Sequence, residues 1–417
     1  MNNEAPIFYQ QARVPRPLNQ ILKKRKKKTA PVLFQAKVIL FFLGFLEAFW
    51  PHIILYSFAL PFIQSTNSNE SKSRPGNSFS FNWPYLFVLI IRIVNAKYLL
   101  KVYHSTRVKI TVALFLSGLS CILVAFHKKD VLYAASGWLL FLIANILGDS
   151  CVLGLLKGFP PKVFVGYSSG IGAGSLIGLV YKCFIEFFGH DSYSVVFWMI
   201  PLYIVYYILF SHLLNAKLEF NKIKSLPERR IQTVEERESS VNWQFSLSLI
   251  PLILSKIGQY SFYYGLVCLF TEAIRKHLAP SVFDRFKNDS KMDYANSFAA
   301  VFFEFGFFLA CFSLKLFKLT QLNLLCWIQG AFFASGIYFA TFVGISAYSM
   351  TIVMFCAGFV YGLSYANTIY AILHDSWISR GEKELCLNVN AIMANAGILF
   401  SKLAFGSLKD FMSLFNL

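Results

Sequence analysis

Eleven apolar runs, each near or above the roughly 20 residues that a helix needs to cross a bilayer, dominate this 417-residue chain. They cover residues 33–63, 82–103, 108–127, 131–157, 162–188, 193–215, 244–274, 291–315, 319–342, 346–374 and 384–408. The constraint is severe. Lipid offers the backbone no hydrogen-bond partner, so a spanning segment of this length must satisfy its own amides as a helix. The expectation is an all-α polytopic membrane protein of about eleven helices, or twelve if a short segment at the C-terminus also crosses. Charged residues make up only 14% of the chain, against about 25% in soluble domains. Its 45 phenylalanines exceed what one soluble core could hide.

Polar stretches divide the runs. Eight basic residues, Arg13, Arg16 and Lys23 through Lys28 with Arg25 among them, precede the first run. Beside a first membrane helix such a cluster reads as a cytosolic tail held by anionic lipid and by the positive-inside rule, not as a nucleic-acid arm. No apolar signal-peptide core lies in the first 30 or so residues. Residues 216–242 form a charged stretch carrying Lys217, Lys222, Lys224, Arg229, Arg230 and Arg237. The expected organisation is a basic tail (1–32), a six-helix half (33–215), a cytosolic linker (216–242) and a second half of five to six helices (243–417). Two such halves are the layout of many secondary transporters. A cytosolic N-terminus puts the sequons at Asn69 and Asn288 in lumenal loops, which makes both glycosylation candidates. Loop 275–290 dissents, since Arg275, Lys276, Arg285 and Lys287 are basic on the side that the positive-inside rule disfavours.

The stretch GYSSGIGAGSLIG, residues 166–178, is the most glycine-dense in the chain. A dinucleotide loop would need a strand before it and an acidic residue some 20 positions on. A Pro-Pro turn precedes it instead, and an apolar run follows. Gly170, Gly174 and Gly178 recur every four residues, the small-xxx-small spacing that lets two helix backbones touch in lipid. Gly358 and Gly362 repeat that spacing in the tenth run. The eight cysteines form no C-x-x-C pair, and the seven histidines show no metal spacing. No Walker, G-x-S-x-G or H-E-x-x-H signature occurs. Neither an enzyme nor a cofactor is expected. The expected partners are membrane lipids, a small-molecule substrate and, through the tail and linker, cytosolic proteins; nucleic acid is not among them.

Ionisable residues at membrane depth are costly and therefore informative. Glu47, Arg92, Asp149, Lys256, Glu304 and Lys402 are the clearest, with neutralising pairs between helices or snorkelling as the alternatives to a functional role. Lys256, Gln259, Tyr260 and Tyr263 share one face of the seventh helix. Asn388, Asn395 and Lys402 stand seven apart in the last. Tyr365 follows the glycine face of the tenth, with Asn367 close by. A substrate pathway of Lys256, Gln259, Tyr263, Tyr365, Asn367, Asn388 and Asn395 is the expectation, with Glu47 and Asp149 as charge or proton candidates. Helix glue is the other use of such faces.

Four blocks carry a resemblance to the battenin family: LGDSCVLGLLKGFPPKVFVGYSSGIGAGSLIG (147–178), GQYSFYYGL (258–266), GFVYGLSYANT (358–368), and KELCL (383–387) with LKDF (408–411). The resemblance implies a fold related to the major facilitator superfamily and residence in a lysosomal or vacuolar membrane with a cytosolic N-terminus. It implies a transporter of glycerophosphodiesters or basic amino acids that contributes to lumenal pH homeostasis. A non-transporting scaffold for endolysosomal trafficking or pH control is the alternative. Several titratable family positions differ here: Gln259, Ala357 and Ala394 stand where the family has carboxylates, and Glu47-Ala48 replaces an Asn-Asn pair.

Overall fold

The computed structural model describes residues 28–53, 83–96, 106–125, 131–188, 192–225, 249–284, 295–314, 319, 321–378 and 382–405. Asn69, Asn288, most of the basic tail and residues 226–242 of the linker lie outside them. Every described element is helical, and all eleven apolar runs contain one: α1 (28–53), α2 (Trp83–Val94), α3 (Thr106–Ala125), α4 (Val131–Leu156), α5 (Phe164–Phe188), α6 (Ser192–Ser225), α7 (Leu249–Ala273), α8 (Ala295–Ser313), α9 (Leu322–Tyr338), α10 (Ala347–His374) and α11 (Glu382–Phe405). Nine helices among the described residues are long and apolar enough to span a membrane.

Two boundaries depart from the sequence expectation, each for a packing reason. Helix α6 runs through Ser225 and takes in the first ten residues of the expected linker. Phe220 on that extension packs against Phe159, and the Lys217 stem lies over Gly158, so charge there marks a helix leaving the apolar layer. The expected loop after the seventh span begins as helix too, because α7 continues through a π-turn (Ile274–Leu278) into Ala279–Asp284. Arg275 is thereby drawn against the protein, where it pairs with Glu304 at 3.4 Å and covers the Phe303 ring. In this way Arg275 leaves the charge count of loop 275–290, while Arg285 and Lys287 lie outside the described residues.

Glycine sets the closest helix seams. A Cβ at Gly166, Gly170 or Gly174 would overlap the carbonyls of Lys37, Phe41 and Phe45 in turn, and Gly178 faces Phe49. Both sets advance by four, so α1 and α5 run parallel with backbones in contact. Gly358 and Gly362 meet the carbonyls of Phe303 and Phe307, making α8 and α10 a second parallel pair; Gly397 meets Gly265, making α7 and α11 a third. The halves join through α5 against α8 and α2 against α11. On the face where α1 starts, termed the tail face, one hydrophobic cluster runs across both halves, from Leu155, Leu156 and Phe164 to Ile253, Ile372, Leu373 and Leu387. Towards the opposite face the cores separate: Ile53 and Met199 belong to the first half, and Phe303, Phe333 and Met350 to the second.

Candidate functional site

Glu47 enters the protein from α1, where Leu43, Leu46 and Trp50 bury the neighbouring faces. Its carboxylate accepts hydrogen bonds from the hydroxyls of Tyr167 on α5 and Tyr206 on α6. Tyr206 is fixed in turn against Trp50, at 5.2 Å between ring centroids. The Tyr167 hydroxyl also lies 3.4 Å from Asp149 Oδ1 on α4, and Asp149 Oδ2 receives Arg92 Nη1 of α2 at 3.1 Å. Two carboxylates, one guanidinium and two phenols from α1, α2, α4, α5 and α6 therefore form a single centre. Its formal charge is one negative, because Arg92 answers only one of the two carboxylates. Among the described residues, Glu47 is held by phenols rather than by a cation.

The second half touches this centre through Asn388. Ser150, next in sequence to Asp149, donates to Asn388 Oδ1 at 3.0 Å, and Asn95 Nδ2 reaches the same oxygen at 3.5 Å. Asn388 returns its own amide to the Glu384 carbonyl at 2.8 Å. Tyr365 of α10 packs against the shared cluster and lies within electrostatic reach of Asp149 and Glu47. One turn towards the tail face, Lys157 and Glu384 form an ion pair across the halves.

Of the residues expected to form the pathway, Asn388 and Tyr365 meet the two charge candidates Glu47 and Asp149 here, and the others do not. Lys256 is held by both carboxylate oxygens of Glu382, at 3.0 and 2.9 Å, near the tail face. Gln259 is exposed. Tyr263 packs towards α8, α9 and α10 with Leu322, Leu325 and Val360. The face of α7 that meets Tyr365 is one residue over, at Tyr264, with ring centroids 6.3 Å apart. Asn367 is consumed locally: its Oδ1 accepts Leu319 N at 2.8 Å and its amide donates to the Leu363 carbonyl at 2.9 Å. Asn395 donates back to the Ala391 carbonyl. The seven-residue stripe on α11 reaches different neighbours because a straight helix drifts by about 20° per heptad; Asn388 faces α2 and α4, while Lys402 pairs with Glu272 of α7 at 3.8 Å.

Sequence reasoning missed Tyr167 and Tyr206, as well as Glu382 and Glu384. Tyrosine is common at membrane depth, and nothing in its spacing distinguishes these two from the chain's other 19 of 21. Glu382 and Glu384 sit at the start of a span, where an acidic residue is ordinarily read as a helix-terminus charge.

Comparison with known proteins agrees with this architecture. Solved structures of similar fold include the fucose:proton symporter of E. coli, at TM-score 0.52 and 15% identity over 91% of this chain and 92% of that one. A bacterial homologue of the iron transporter ferroportin in an outward-facing state matches at TM-score 0.55 and 12% identity, over 92% and 95% of the two chains. The fold is therefore that of the major facilitator transporters. Battenin of Dictyostelium discoideum is 24% identical over 285 residues, covering 61% of this chain and 68% of the relative. The CLN3 protein family matches residues 83–412. That span takes in both halves and the centre's residues on α2, α4, α5, α6 and α11, so the chain belongs to the CLN3 protein, or battenin, family.

Proposed function

We propose that this protein is a secondary transporter of a lysosomal or vacuolar membrane, with its N-terminus in the cytosol. In this reading it moves glycerophosphodiesters or basic amino acids and contributes to lumenal pH homeostasis. The observation that carries the reading is the centre at Glu47: two carboxylates and one guanidinium assembled within the first half and tied to the second through Ser150 and Asn388. A membrane protein that needed only helix glue would gain nothing from a carboxylate without a cation, since such a group is costly at this depth. The centre has chemistry for either substrate class. Arg92 is a donor for a phosphodiester, and Glu47 is an acceptor for a proton or for an ammonium or guanidinium group. Tyr167, in contact with both carboxylates, can pass a proton between them. In this reading Lys256 serves structure through Glu382, and Asn69 and Asn288 carry lumenal glycans.

The test is flux in proteoliposomes with labelled glycerophosphocholine and labelled arginine in turn, at matched and opposed pH. The expected result is saturable movement of one of them, responsive to a pH gradient and lost in Glu47→Gln. Movement that survives Glu47→Gln with its pH response unchanged would remove the centre from the mechanism. No movement of either substrate by folded protein would favour the scaffold reading.

A further inference from the structure

Four cations gather towards the face opposite the tail, and the function proposed above does not use them. Arg275 and Lys276 come from the π-turn that follows α7, Lys402 from the last turn of α11 and Lys182 from α5. Lys402 lies 3.8 Å from Glu272, and Arg275 lies 3.4 Å from Glu304. Lys182 stands seven residues after Ser175, so the two share a face of α5. That face meets the second half through the 2.6 Å bond from Ser175 to Glu304 of α8. Lys182 is thereby placed at the boundary between the halves, and its charge reaches Lys276 together with those of Arg275, Lys402 and Glu272.

Two carboxylates answer these four cations, which leaves an excess of two positive charges with the imidazoles neutral. The pairing is uneven. Arg275 has Glu304 and Lys402 has Glu272, whereas Lys276 makes no ion pair among the described residues. Lys276 is exposed, yet its ammonium is pushed down to about 8, first by the charge of Arg275 and next by the protein around it. A side chain that water reaches while protein surrounds its charge lines a recess, not a convex surface. In the same cluster, His277 Nε2 is buried with its hydrogen-bonding capacity unused among the described residues, and each such atom calls for an explanation. Holding like charges together costs stability, so packing gives no reason for the excess. An anion does. We infer that the recess around Lys276 is a binding site for a phosphate group, borne by a small anion or by a phospholipid headgroup, between the ammonium groups of Lys182, Lys276 and Lys402. A phosphate offers several acceptor oxygens around one centre, which ammonium groups on different elements can approach from different sides. A carboxylate is matched instead by the fork of one guanidinium. The guanidinium in this cluster is already engaged, since Arg275 is held by Glu304 and covers the Phe303 ring at 5.1 Å; it adds charge to the site and not a contact. The site also gives Arg275 and Lys276 a use on a side where the positive-inside rule disfavours them. That this face is lumenal rests on the function proposed above; the binding of phosphate does not.

The experiment measures binding directly, so it is independent of transport. The full-length protein is reconstituted in phosphatidylcholine nanodiscs and titrated calorimetrically with inorganic phosphate at low salt. Saturable binding is expected, weakening as sodium chloride is raised. Lys276→Met is expected to lose affinity by about tenfold or more, and Lys276→Arg, which keeps the charge, to retain most of it. Glu272→Gln frees Lys402 and raises the excess to three, so it should bind phosphate more tightly than the parent, which a merely damaged protein would not do. Arg92→Gln/Asp149→Asn alters only the Glu47 centre and should bind like the parent. Nanodiscs that include phosphatidylglycerol separate the two sources: phosphate binding that weakens there, but not in Lys276→Met, means that the headgroup occupies the recess, and unchanged binding means that the small anion does. No phosphate binding by the folded parent overturns the proposal, as does equal affinity in parent and Lys276→Met. Binding lost in Arg92→Gln/Asp149→Asn and kept in Lys276→Met would move the anion to the Glu47 centre, which overturns this site and leaves the transport reading standing.

Discussion

Replacing Arg92 by glutamine removes the cation from the centre and leaves Asp149 facing Glu47 through one shared phenol. The Arg92 and Asp149 charges lie 3.1 Å apart, with side-chain exposures of 17% and 25%. At an effective dielectric of about 20 their gross attraction is about 5 kcal/mol. Most of that is offset by the desolvation of both ions, so the pair itself contributes little net stability. Breaking it is another matter. A buried carboxylate left without its partner costs about 3–5 kcal/mol, and the residual exposure of both groups places the cost near the lower end, about 3 kcal/mol. The double variant Arg92→Gln/Asp149→Asn removes both charges and should recover most of it, to within about 1 kcal/mol of the parent. Equilibrium unfolding in mixed micelles, with the four proteins of the cycle measured under one set of conditions, gives the coupling directly. A single variant costing under about 1 kcal/mol, or a double variant as unstable as the sum of the singles, would mean that the contact is not an ion pair at low dielectric. The charge count of the centre would then fail with it.

Two further outcomes follow from the packing. Gly170→Leu drives a side chain into the Phe41 carbonyl, and because that contact is backbone the cost should reach or exceed about 3 kcal/mol; Gly258→Ala, where a Cβ meets nothing within 4 Å, should be neutral or stabilising by up to about 1 kcal/mol. Both are read in the same unfolding assay, and equal effects at the two sites would refute the seam. Lys256→Met takes from Glu382, itself 7% exposed on its side chain, the cation that both its oxygens hold, and should destabilise by about 3 kcal/mol, while Lys256→Met/Glu382→Leu restores stability and leaves substrate affinity unchanged in the flux assay. A double variant that folds but has lost substrate binding would return Lys256 to the substrate pathway.

What could be read in the sequence follows the range of the forces involved. A span is a local property, and hydropathy alone finds all eleven helices, although helix continues past the apolar runs to Ser225 after α6 and to Asp284 after α7. The four-residue glycine spacing is local too, and it marks a face that must touch another backbone, although it does not say which. Charge partners are not local. Arg92 and Asp149 are 57 positions apart, Lys256 and Glu382 are 126, and Lys157 and Glu384 are 227. No period within one helix encodes such distances. The polar face of α7 misled for a related reason. Lys256, Gln259 and Tyr263 do share a face, yet along the helix that face meets Glu382, then an exposed surface, then the packing of α8 to α10. Helix contacts here are set by where glycine admits a neighbour: Gly265 brings α11 close, and that turns Tyr264, not Tyr263, towards Tyr365.

The same contacts divide the molecule into parts that must move together and parts that can separate. The seams α1–α5, α8–α10 and α7–α11 are glycine against carbonyl, each within one half. Opening such a seam would expose backbone surfaces that no side chain can fill, so each seam is rigid on energetic grounds. The polar ties between the halves are of a different kind: Ser150 to Asn388, Lys157 to Glu384, Ser175 to Glu304. Each is a side-chain contact whose partners can be re-solvated when it breaks, at about 1–3 kcal/mol apiece for hydrogen bonds to charged or buried groups. Gly172 against Phe308 is a close backbone approach across the boundary, and it lies between Ser168–Cys311 and Ser175–Glu304 on the α5–α8 contact. That approach separates the ties nearer the tail face from the Ser175–Glu304 bond towards the other. The Glu47 centre is assembled within the first half, so its internal contacts do not depend on the boundary between the halves. Its connection to Asn388 does.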